Sequence, residues 1–208
     1  MQYSQGDEQI TIQKYVGDSI GTCLSIGENS GFHLSNVLAL IEAGWSATLI
    51  EPSPSAFKQL DKKHKENFNV QSMNVAVADF IGQSVMYDSG THLKEGDTAL
   101  LSTMSITDYE KWKSTTEFST ILVDVIDFEE LLSRSIYKTF DVISIDAEGF
   151  DLIILKQMNL QDLGCKLLCI EHNGNLDVLD EIKQICNHYG LTKQLLINAE
   201  NVIWAEGK

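Results

Sequence analysis

Arginine is almost absent from this chain. Arg134 is the only one among 208 residues, and the excess of Asp and Glu over Lys and Arg gives a formal net charge of -15. Proteins that hold nucleic acid need clustered Lys and Arg to replace the counterions on many phosphates. The composition therefore argues against a nucleic-acid partner and fits a neutral or cationic small molecule, although most of the acid is expected to form a solvated surface.

Long hydrophobic runs are missing as well. Residues 1–9 are polar and have neither the basic stretch nor the apolar stretch of a secretory signal. No run approaches the length of about 20 residues that crosses a bilayer. We therefore expect no membrane partner and a cytoplasmic location.

Cysteine is sparse. The four cysteines have spacings that match neither a zinc site nor a redox pair, and three of them lie in apolar runs where a free thiol packs as a small hydrophobe. We expect Cys23, Cys165, Cys169 and Cys186 to fill the core.

What the chain does contain is a regular alternation of β-rich runs and helix-length segments from Thr22 onward. This alternation is typical of a parallel sheet that is covered on both faces by helices. Since the length is near that of one domain, we expect a single α/β domain over residues 1–208. The predicted strands span 22–26, 47–50, 70–77, 120–125, 140–145, 166–170, 192–197 and 202–205, the last two forming a hairpin.

Helices are predicted between these strands. The first buries Leu34, Val37, Leu38 and Ile41 at helical spacing, and others span 55–67, 128–133, 150–158 and 176–189. The pattern weakens over residues 82–117, where 83–87 and 99–104 are the best strand candidates. We predict that 82–117 is an insertion.

A glycine turn follows the first predicted strand and precedes the first predicted helix. It reads Gly27-Glu28-Asn29-Ser30-Gly31. Such a turn directs backbone N–H groups and a positive helix end toward one point, which favours an anion. The spacing Gly-x-x-x-Gly differs from the Gly-x-Gly-x-x-Gly of a pyrophosphate site, so the amino-acid end of S-adenosylmethionine (SAM) fits better than a dinucleotide. A chance glycine turn is the alternative.

Two acidic residues after later strands strengthen the nucleoside interpretation. Glu51 ends the second strand about twenty residues beyond the turn, where a carboxylate can accept both ribose hydroxyls. Asp79 follows the third strand, where an adenine amino group would lie, and its alternative is a surface turn residue.

With these residues identified, the chain resembles the FkbM family of SAM-dependent methyltransferases over roughly residues 20–205. The family's glycine turn resembles residues 26–32, its second-strand end resembles Ile50-Glu51-Pro52, and its most distinctive element resembles Ser-Ile-Asp-Ala-Glu-Gly-Phe-Asp at 144–151. The resemblance implies a three-layer Rossmann-like class I fold with a mostly parallel seven-stranded sheet and a C-terminal antiparallel hairpin. It also implies SAM as donor, S-adenosylhomocysteine (SAH) as product, and O-methylation of a hydroxyl on a small molecule or a sugar.

Two residues depart from the family pattern. The family usually has an acid two residues before the first glycine, where this chain has Ser25, and Ala after that glycine, where this chain has Glu28. Glu28 either faces the cofactor's amino group in place of the missing acid or points outward into solvent, and the outward orientation is the prediction. We assign Gly27, Glu28, Asn29 and Gly31 to the cofactor, together with the acids Glu51, Asp79 and Asp146.

The chemistry is expected at the ends of the fourth and fifth strands of the main sheet, because ligands of open α/β sheets lie beyond the carboxyl ends of the strands. Asp146 and Glu148 lie at the first of these ends, and one of them is predicted to orient the acceptor or face the sulfonium. His172 follows the other end and is the predicted general base, with a structural histidine as the alternative.

A divalent metal is an alternative that we do not favour. Asp146, Glu171 and Asn173 resemble in position the Asp, Asp and Asn that hold magnesium in catechol-type O-methyltransferases, and all three offer oxygen ligands. The insertion, which contains Tyr87, His92, Tyr109 and Trp112, is predicted to set acceptor specificity, because variable loops build such pockets.

Two other function classes remain as alternatives to a methyltransferase. A SAM-binding or nucleotide-binding module without catalysis is suggested by Ser25 in place of the usual acid. An NAD-dependent oxidoreductase would need the close-packed Gly-x-Gly turn that Gly27 and Gly31 do not supply.

Overall fold

The computed structural model describes residues 1–90 and 100–207. Along these residues the chain forms α1 (Glu8–Val16), β1 (Thr22–Ile26), α2 (Leu38–Glu42), β2 (Ser46–Ile50), α3 (Pro54–His64), β3 (Val70–Met73), β4 (Ala76–Val77), β5 (Gly82–Asp88), α4 (Ile106–Trp112), β6 (Ser119–Ile126), α5 (Phe128–Arg134), β7 (Val142–Ile145), α6 (Asp151–Leu155), β8 (Leu167–Glu171), α7 (Leu176–His188), β9 (Lys193–Ile197) and β10 (Asn201–Ala205).

Seven of the strands form the central sheet, in the order β3-β2-β1-β7-β8-β10-β9. The first five strands in this order are parallel, and β10 runs antiparallel to both β8 and β9. This is the class I methyltransferase architecture predicted from the sequence, including the C-terminal hairpin.

Helices cover both faces of the central sheet because its middle strands are apolar on both sides. Alternate residues of a strand point to opposite faces, and the buried residues of β1 and β7 divide in that way between two apolar clusters. The cluster that contains Leu24 and Ile143 packs against α5, α6 and α7, and the cluster that contains Cys23 and Val142 packs against α1, α2 and α3. All four cysteines are buried free thiols within these clusters, as predicted.

A second sheet, with the order β4-β6-β5, stands apart from the central one. The predicted strand 70–77 is therefore two strands in two sheets. Asn74 lies between them, and its Nδ2 donates to the carbonyl oxygens of Glu51 (2.7 Å) and Pro52 (3.0 Å), so the chain turns there. The small sheet extends beyond the predicted insertion 82–117 at both ends, since it includes β4 and β6.

The helix predicted after the glycine turn exists as α2 and buries Leu38 and Ile41, but its predicted start was wrong. Residues 32–37 are irregular, and α2 begins only at Leu38. Leu34 has a φ of 61° and is 39% exposed, so it does not belong to a buried helical face. The Ser35 hydroxyl accepts from the N–H groups of Val37 (3.3 Å) and Leu38 (2.9 Å). These local hydrogen bonds compete with helical ones, so the helix begins at Leu38 and not directly after the glycine turn.

Helix α1 was not predicted, because its sequence is mostly polar. Its buried Glu8 is held by tertiary contacts, since its Oε1 accepts from Nδ2 of Asn198 (2.7 Å) and of Asn201 (3.3 Å) in the C-terminal hairpin. No helix in the described part of the chain is long and apolar enough to cross a membrane.

Candidate active site

A cavity of about 270 Å³ lies beyond the carboxyl ends of β1, β2, β7 and β8. It brings together most of the site residues that the sequence predicted, namely Gly27, Glu28, Asn29, Glu51, Asp146, Glu148, Glu171 and Asn173. Gly31, Asp79 and His172 are not among its lining residues.

The start of the glycine turn is fixed by close contact between β1 and β7. Gly27 has a φ of 84°, and a Cβ atom at this position would lie 1.7 Å from the carbonyl oxygen of Asp146. Only a glycine fits such an approach without moving the backbone. Gly27 therefore allows the turn and the Asp146 segment to form one wall of the cavity.

The N–H groups of the turn are already used within the protein. Those of Gly27 and Glu28 donate to the Ile50 carbonyl (2.9 and 3.0 Å), and that of Gly31 donates to the Glu28 carbonyl (3.1 Å). The N–H of Asn29 donates to Oε2 of Glu51 (2.8 Å). The expectation that this turn and a helix start would together attract an anion was therefore wrong, because neither free N–H groups nor an adjacent helix is present there.

Glu51 links the second strand to the turn. Its Oε1 accepts from the N–H of Ser53 (2.7 Å) and its Oε2 from that of Asn29 (2.8 Å), while the side chain lines the cavity. Burial raises the pKa of this carboxyl to about 8. A carboxylate has about four lone-pair sites, so each oxygen can accept one further hydrogen bond from a ligand.

Glu28 points inward, so its predicted outward orientation was wrong. Only 3% of the residue is exposed, and its Oε1 accepts from the Ser35 hydroxyl at 2.5 Å. Burial raises the pKa of this carboxyl to about 7, and the hydrogen bonds from Ser25 and Ser35 partly oppose the shift. Ser25, which replaces the usual acid, thus lies beside a carboxylate supplied by Glu28.

The three predicted residues that do not line the cavity have other surroundings. Gly31 faces α3, where an added Cβ would lie 2.5 Å from Leu60 Cδ1 and 3.4 Å from His64 Nε2. Asp79 is exposed after β4. His172 is buried, and its Nδ1 accepts from the N–H of Gly174 (3.1 Å).

A tight turn at the end of β7 carries the two predicted catalytic acids. Glu148 has a φ of 46° and Gly149 a φ of 100°, so two successive residues are left-handed. For Glu148 this conformation costs on the order of 1 kcal/mol. Asp151 stabilises the turn, because its Oδ1 accepts from the N–H of Ala147 (2.8 Å) and its Oδ2 from that of Gly149 (3.1 Å).

Carboxyl groups are concentrated at this end of the cavity. Burial and, to a smaller extent, the neighbouring Asp151 raise the pKa of Asp146 to about 7. Burial and the Asp146 charge raise the pKa of Glu148 well above its usual range, and the same two causes raise that of Glu171 to about 11. Such an environment favours a cationic ligand over a neutral or anionic one.

The metal alternative has limited geometric support. Asn173 Nδ2 donates to Oε2 of Glu171 (2.7 Å), and both side chains line the same cavity as Asp146. Among the residues that the structure describes, no three His, Cys, Asp or Glu side chains are grouped closely enough to hold a metal ion.

A second wall of the cavity comes from residues 100–112, and the sequence pattern did not indicate most of its members. Trp112 lines the cavity as part of this wall, whereas Tyr87 and Tyr109 stack on each other outside the lining, with ring centroids 4.1 Å apart. His92 lies outside the described residues. The other lining members of this wall are Leu100, Leu101, Ser102, Thr103, Met104, Asp108 and Lys111.

Comparisons with known proteins agree with this arrangement. Residues 25–190 match the sequence profile of the methyltransferase FkbM domain. No curated protein sequence matches the chain. Solved structures that share its fold include an FkbM methyltransferase from Methylobacillus flagellatus KT, with 14% identity and a TM-score of 0.54, where the match covers 90% of this chain and 44% of the other.

Two further structures show the same fold at low identity. One is a ribosomal protein L11 methylase from Lactobacillus delbrueckii subsp. bulgaricus, with 12% identity, a TM-score of 0.50, and coverage of 96% of this chain and 77% of the other. The other is a precorrin-6y C5,15-methyltransferase from Geobacter metallireducens GS-15, with 11% identity, a TM-score of 0.50, and coverage of 97% and 87%. Because the FkbM profile spans most of the chain, this protein belongs to the FkbM family of SAM-dependent methyltransferases.

Proposed function

We propose that the protein transfers the methyl group of SAM to a hydroxyl of a small-molecule or sugar acceptor. The observation that carries the proposal is the single cavity in which Glu51 and Glu28 face the same space as Asp146 and Glu148. The first two carboxylates suit the cofactor, and the last two suit the reacting groups. We call the Gly27–Gly31 turn with Glu51 the cofactor side, and residues 100–112 with the 146–149 turn the acceptor side.

The cofactor side has groups that match the parts of SAM. Glu51 would accept hydrogen bonds from the ribose hydroxyls, as a strand-end acid does in other nucleoside sites. The family's usual acid is replaced by Ser25 in this chain. Glu28 would hold the amino group of SAM in its place, since an ammonium favours an ionised carboxylate. Gly27 and Asn29 would contribute backbone to this wall, and the apolar residues Val75, Ala76 and Val77, which also line the cavity, would flank the adenine.

The acceptor side has groups that match methyl transfer. When bound, SAM supplies an electrophilic methyl group on a cationic sulfonium. The enzyme must hold the acceptor oxygen in line with that methyl and take up its proton. A carboxyl whose pKa lies near neutrality suits this task, and the pKa of Asp146 is raised to about 7. We therefore assign proton uptake and sulfonium screening to Asp146 and Glu148, and not to His172.

Binding of SAM tests the cofactor side. Isothermal titration of the purified protein with SAM and SAH is expected to show binding that Glu51→Ala weakens by about 100-fold, or roughly 2.7 kcal/mol, because a buried bidentate acceptor is lost. Glu51 also accepts from the N–H groups of Asn29 and Ser53, so Glu51→Ala removes two internal hydrogen bonds as well. Glu51→Gln, which keeps one acceptor oxygen, is therefore tested beside it, and circular dichroism checks that both variants fold. Glu66→Ala, at a largely exposed side chain, is the matched control. Unchanged affinity in both Glu51 variants would remove the ribose assignment.

Methyl transfer tests the acceptor side. Protein with SAM carrying a labelled methyl group is incubated with a panel of monosaccharides, catechols and amino alcohols, with and without EDTA. The proposal expects label in at least one hydroxyl acceptor, and equal rates with EDTA would exclude a required divalent metal. Tight SAM binding without transfer to any hydroxyl would favour the non-catalytic binding module.

A further inference from the structure

One buried hydroxyl joins the two parts of the acceptor side. Thr103 is 2% exposed, and its Oγ1 donates to the carbonyl oxygen of Glu148 at 2.7 Å. This is a contact between two segments 45 residues apart in the chain. It joins the insertion directly to the turn that carries Glu148.

Thr103 is itself well anchored. Its N–H and carbonyl form an isolated antiparallel bridge with Tyr87 at the end of β5, with N···O distances of 3.1 and 2.9 Å. Its Oγ1 also accepts from the N–H of Ser105 (2.8 Å), the residue that caps α4. Thr103 therefore connects three elements: its main chain pairs with β5, and its hydroxyl joins the start of α4 to the Glu148 turn.

The start of α4 rests on the same turn. A Cβ added at Gly149 would lie 2.4 Å from Asp108 Oδ2 and 3.1 Å from Ser105 Cβ. The absence of a side chain at Gly149 thus lets α4 pack onto the turn, and this brings Asp108 close enough to Glu148 to raise the pKa of the latter. The position of α4 and the conformation of Glu148 are consequently linked.

The Glu148 peptide is held from two directions. Asp151 accepts from the N–H groups on either side of Glu148, those of Ala147 and Gly149, while Thr103 donates to the Glu148 carbonyl. A left-handed non-glycine residue persists only when its surroundings fix it. Of these contacts, only that of Thr103 comes from outside the 146–151 segment.

We infer that Thr103 is a positioning residue that sets the Glu148 carboxylate against the acceptor by tying the Glu148 turn to the start of α4. It acts through the turn and does not touch the reacting atoms. The catalytic part of this inference rests on the proposed methyltransferase function, whereas the structural link between the two segments does not.

Hydrogen–deuterium exchange tests the link without an acceptor. Thr103→Val keeps the shape of the side chain and removes both hydrogen bonds of the hydroxyl, while Thr103→Ser keeps them. We expect Thr103→Val to speed exchange in 104–112 and 146–151 together by about tenfold or more, and Thr103→Ser to leave both segments protected. Thr115→Val is the matched control, because it also removes a hydroxyl-to-carbonyl bond, to Trp112 (3.1 Å), but on the surface. Undisturbed protection of 146–151 in folded Thr103→Val would overturn the inference.

Kinetics with the best acceptor from the panel tests the catalytic part. Thr103→Val is expected to lower kcat by about tenfold or more while SAM affinity stays within about twofold, because misplacement by about 1 Å is enough to slow a positioned reaction. Thr103→Ser should restore most of kcat. A loosened turn with unchanged kcat would contradict the positioning role. If the unaltered protein methylates nothing, the proposed function fails, and the exchange experiment still decides the structural link.

Discussion

The cofactor side of the cavity combines main-chain contacts at strand ends of the central sheet with the hydrogen bonds of Glu51, whereas the Glu148 turn on the acceptor side is held by the side chains of Thr103 and Asp151. On the cofactor side, Gly27 packs against Asp146 and donates to Ile50, all at strand ends. On the acceptor side, Thr103 and Asp151 hold a strained turn. The difference predicts that substitutions on the two sides have effects of different size.

The largest effect is expected for Gly27→Ala. The new Cβ would meet the Asp146 carbonyl at 1.7 Å, so β1 and β7 must separate at their ends. We expect a loss of at least about 3 kcal/mol in the free energy of unfolding, measured by urea denaturation.

Gly190→Ala is the matched control for Gly27→Ala. Gly190 has nearly the same φ, 85° against 84°, but an added Cβ meets nothing within 4 Å. Only the conformational strain remains, at about 1 kcal/mol. Equal losses in the two variants would show that the contact between the strand ends is not what fixes the cofactor side.

A smaller effect is expected from pH, through the buried acids of the cavity, of which Glu28 and Glu51 belong to the cofactor side. Glu28 and Glu51 have pKa values of about 7 and about 8 in the folded protein, above the value of about 4.3 in an unfolded chain. Between these limits the folded state binds more protons than the unfolded state, so stability falls as pH rises. Urea denaturation should give a free energy of unfolding at least about 1 kcal/mol lower at pH 8.5 than at pH 6.

Substitution identifies the acids that cause the pH dependence. Glu51→Gln removes a titrating group and should flatten the fall in stability between pH 6 and pH 8.5. Glu66→Gln, at a largely exposed side chain, should leave it unchanged. Stability that rises with pH, or a slope that Glu51→Gln does not alter, would contradict the burial of charge on this side.

The smallest effect is expected for Ser105→Ala on the acceptor side. Ser105 caps α4 by accepting from the N–H of Asp108 at 3.2 Å. Because α4 is short and has no buried residues, losing the cap should speed amide exchange in 106–112 and change the free energy of unfolding by less than about 0.5 kcal/mol. Asn175→Ala, at the cap of the longer α7, should cost about 1 kcal/mol globally. Equal global costs would mean that the acceptor side is as firmly built as the core.

The sequence predicted the central sheet well because its strands are short apolar runs between helix-length segments. It also singled out Glu51 and the 146–149 turn, which line the cavity, since both follow such strands directly. It failed where tertiary contacts decide the outcome. The delayed start of α2 depends on the Ser35 hydroxyl, and the burial of Glu8 depends on Asn198 and Asn201. Thr103 lies in a segment without periodicity, so nothing in the local pattern indicated its contact with Glu148.

The pairing of β1 with β7 has a consequence for how the protein is made. Cys23 pairs with Val142, so the middle of the sheet joins residues that are more than one hundred positions apart. Closing a loop of that length costs entropy before any contact compensates for it, so such long-range pairings form slowly. On a ribosome, the Gly27 turn cannot reach its final surroundings until Asp146 has emerged. The cavity is therefore complete only after Asp146 has joined the sheet. A cofactor that binds the cavity would stabilise the complete sheet relative to partly folded states of the chain.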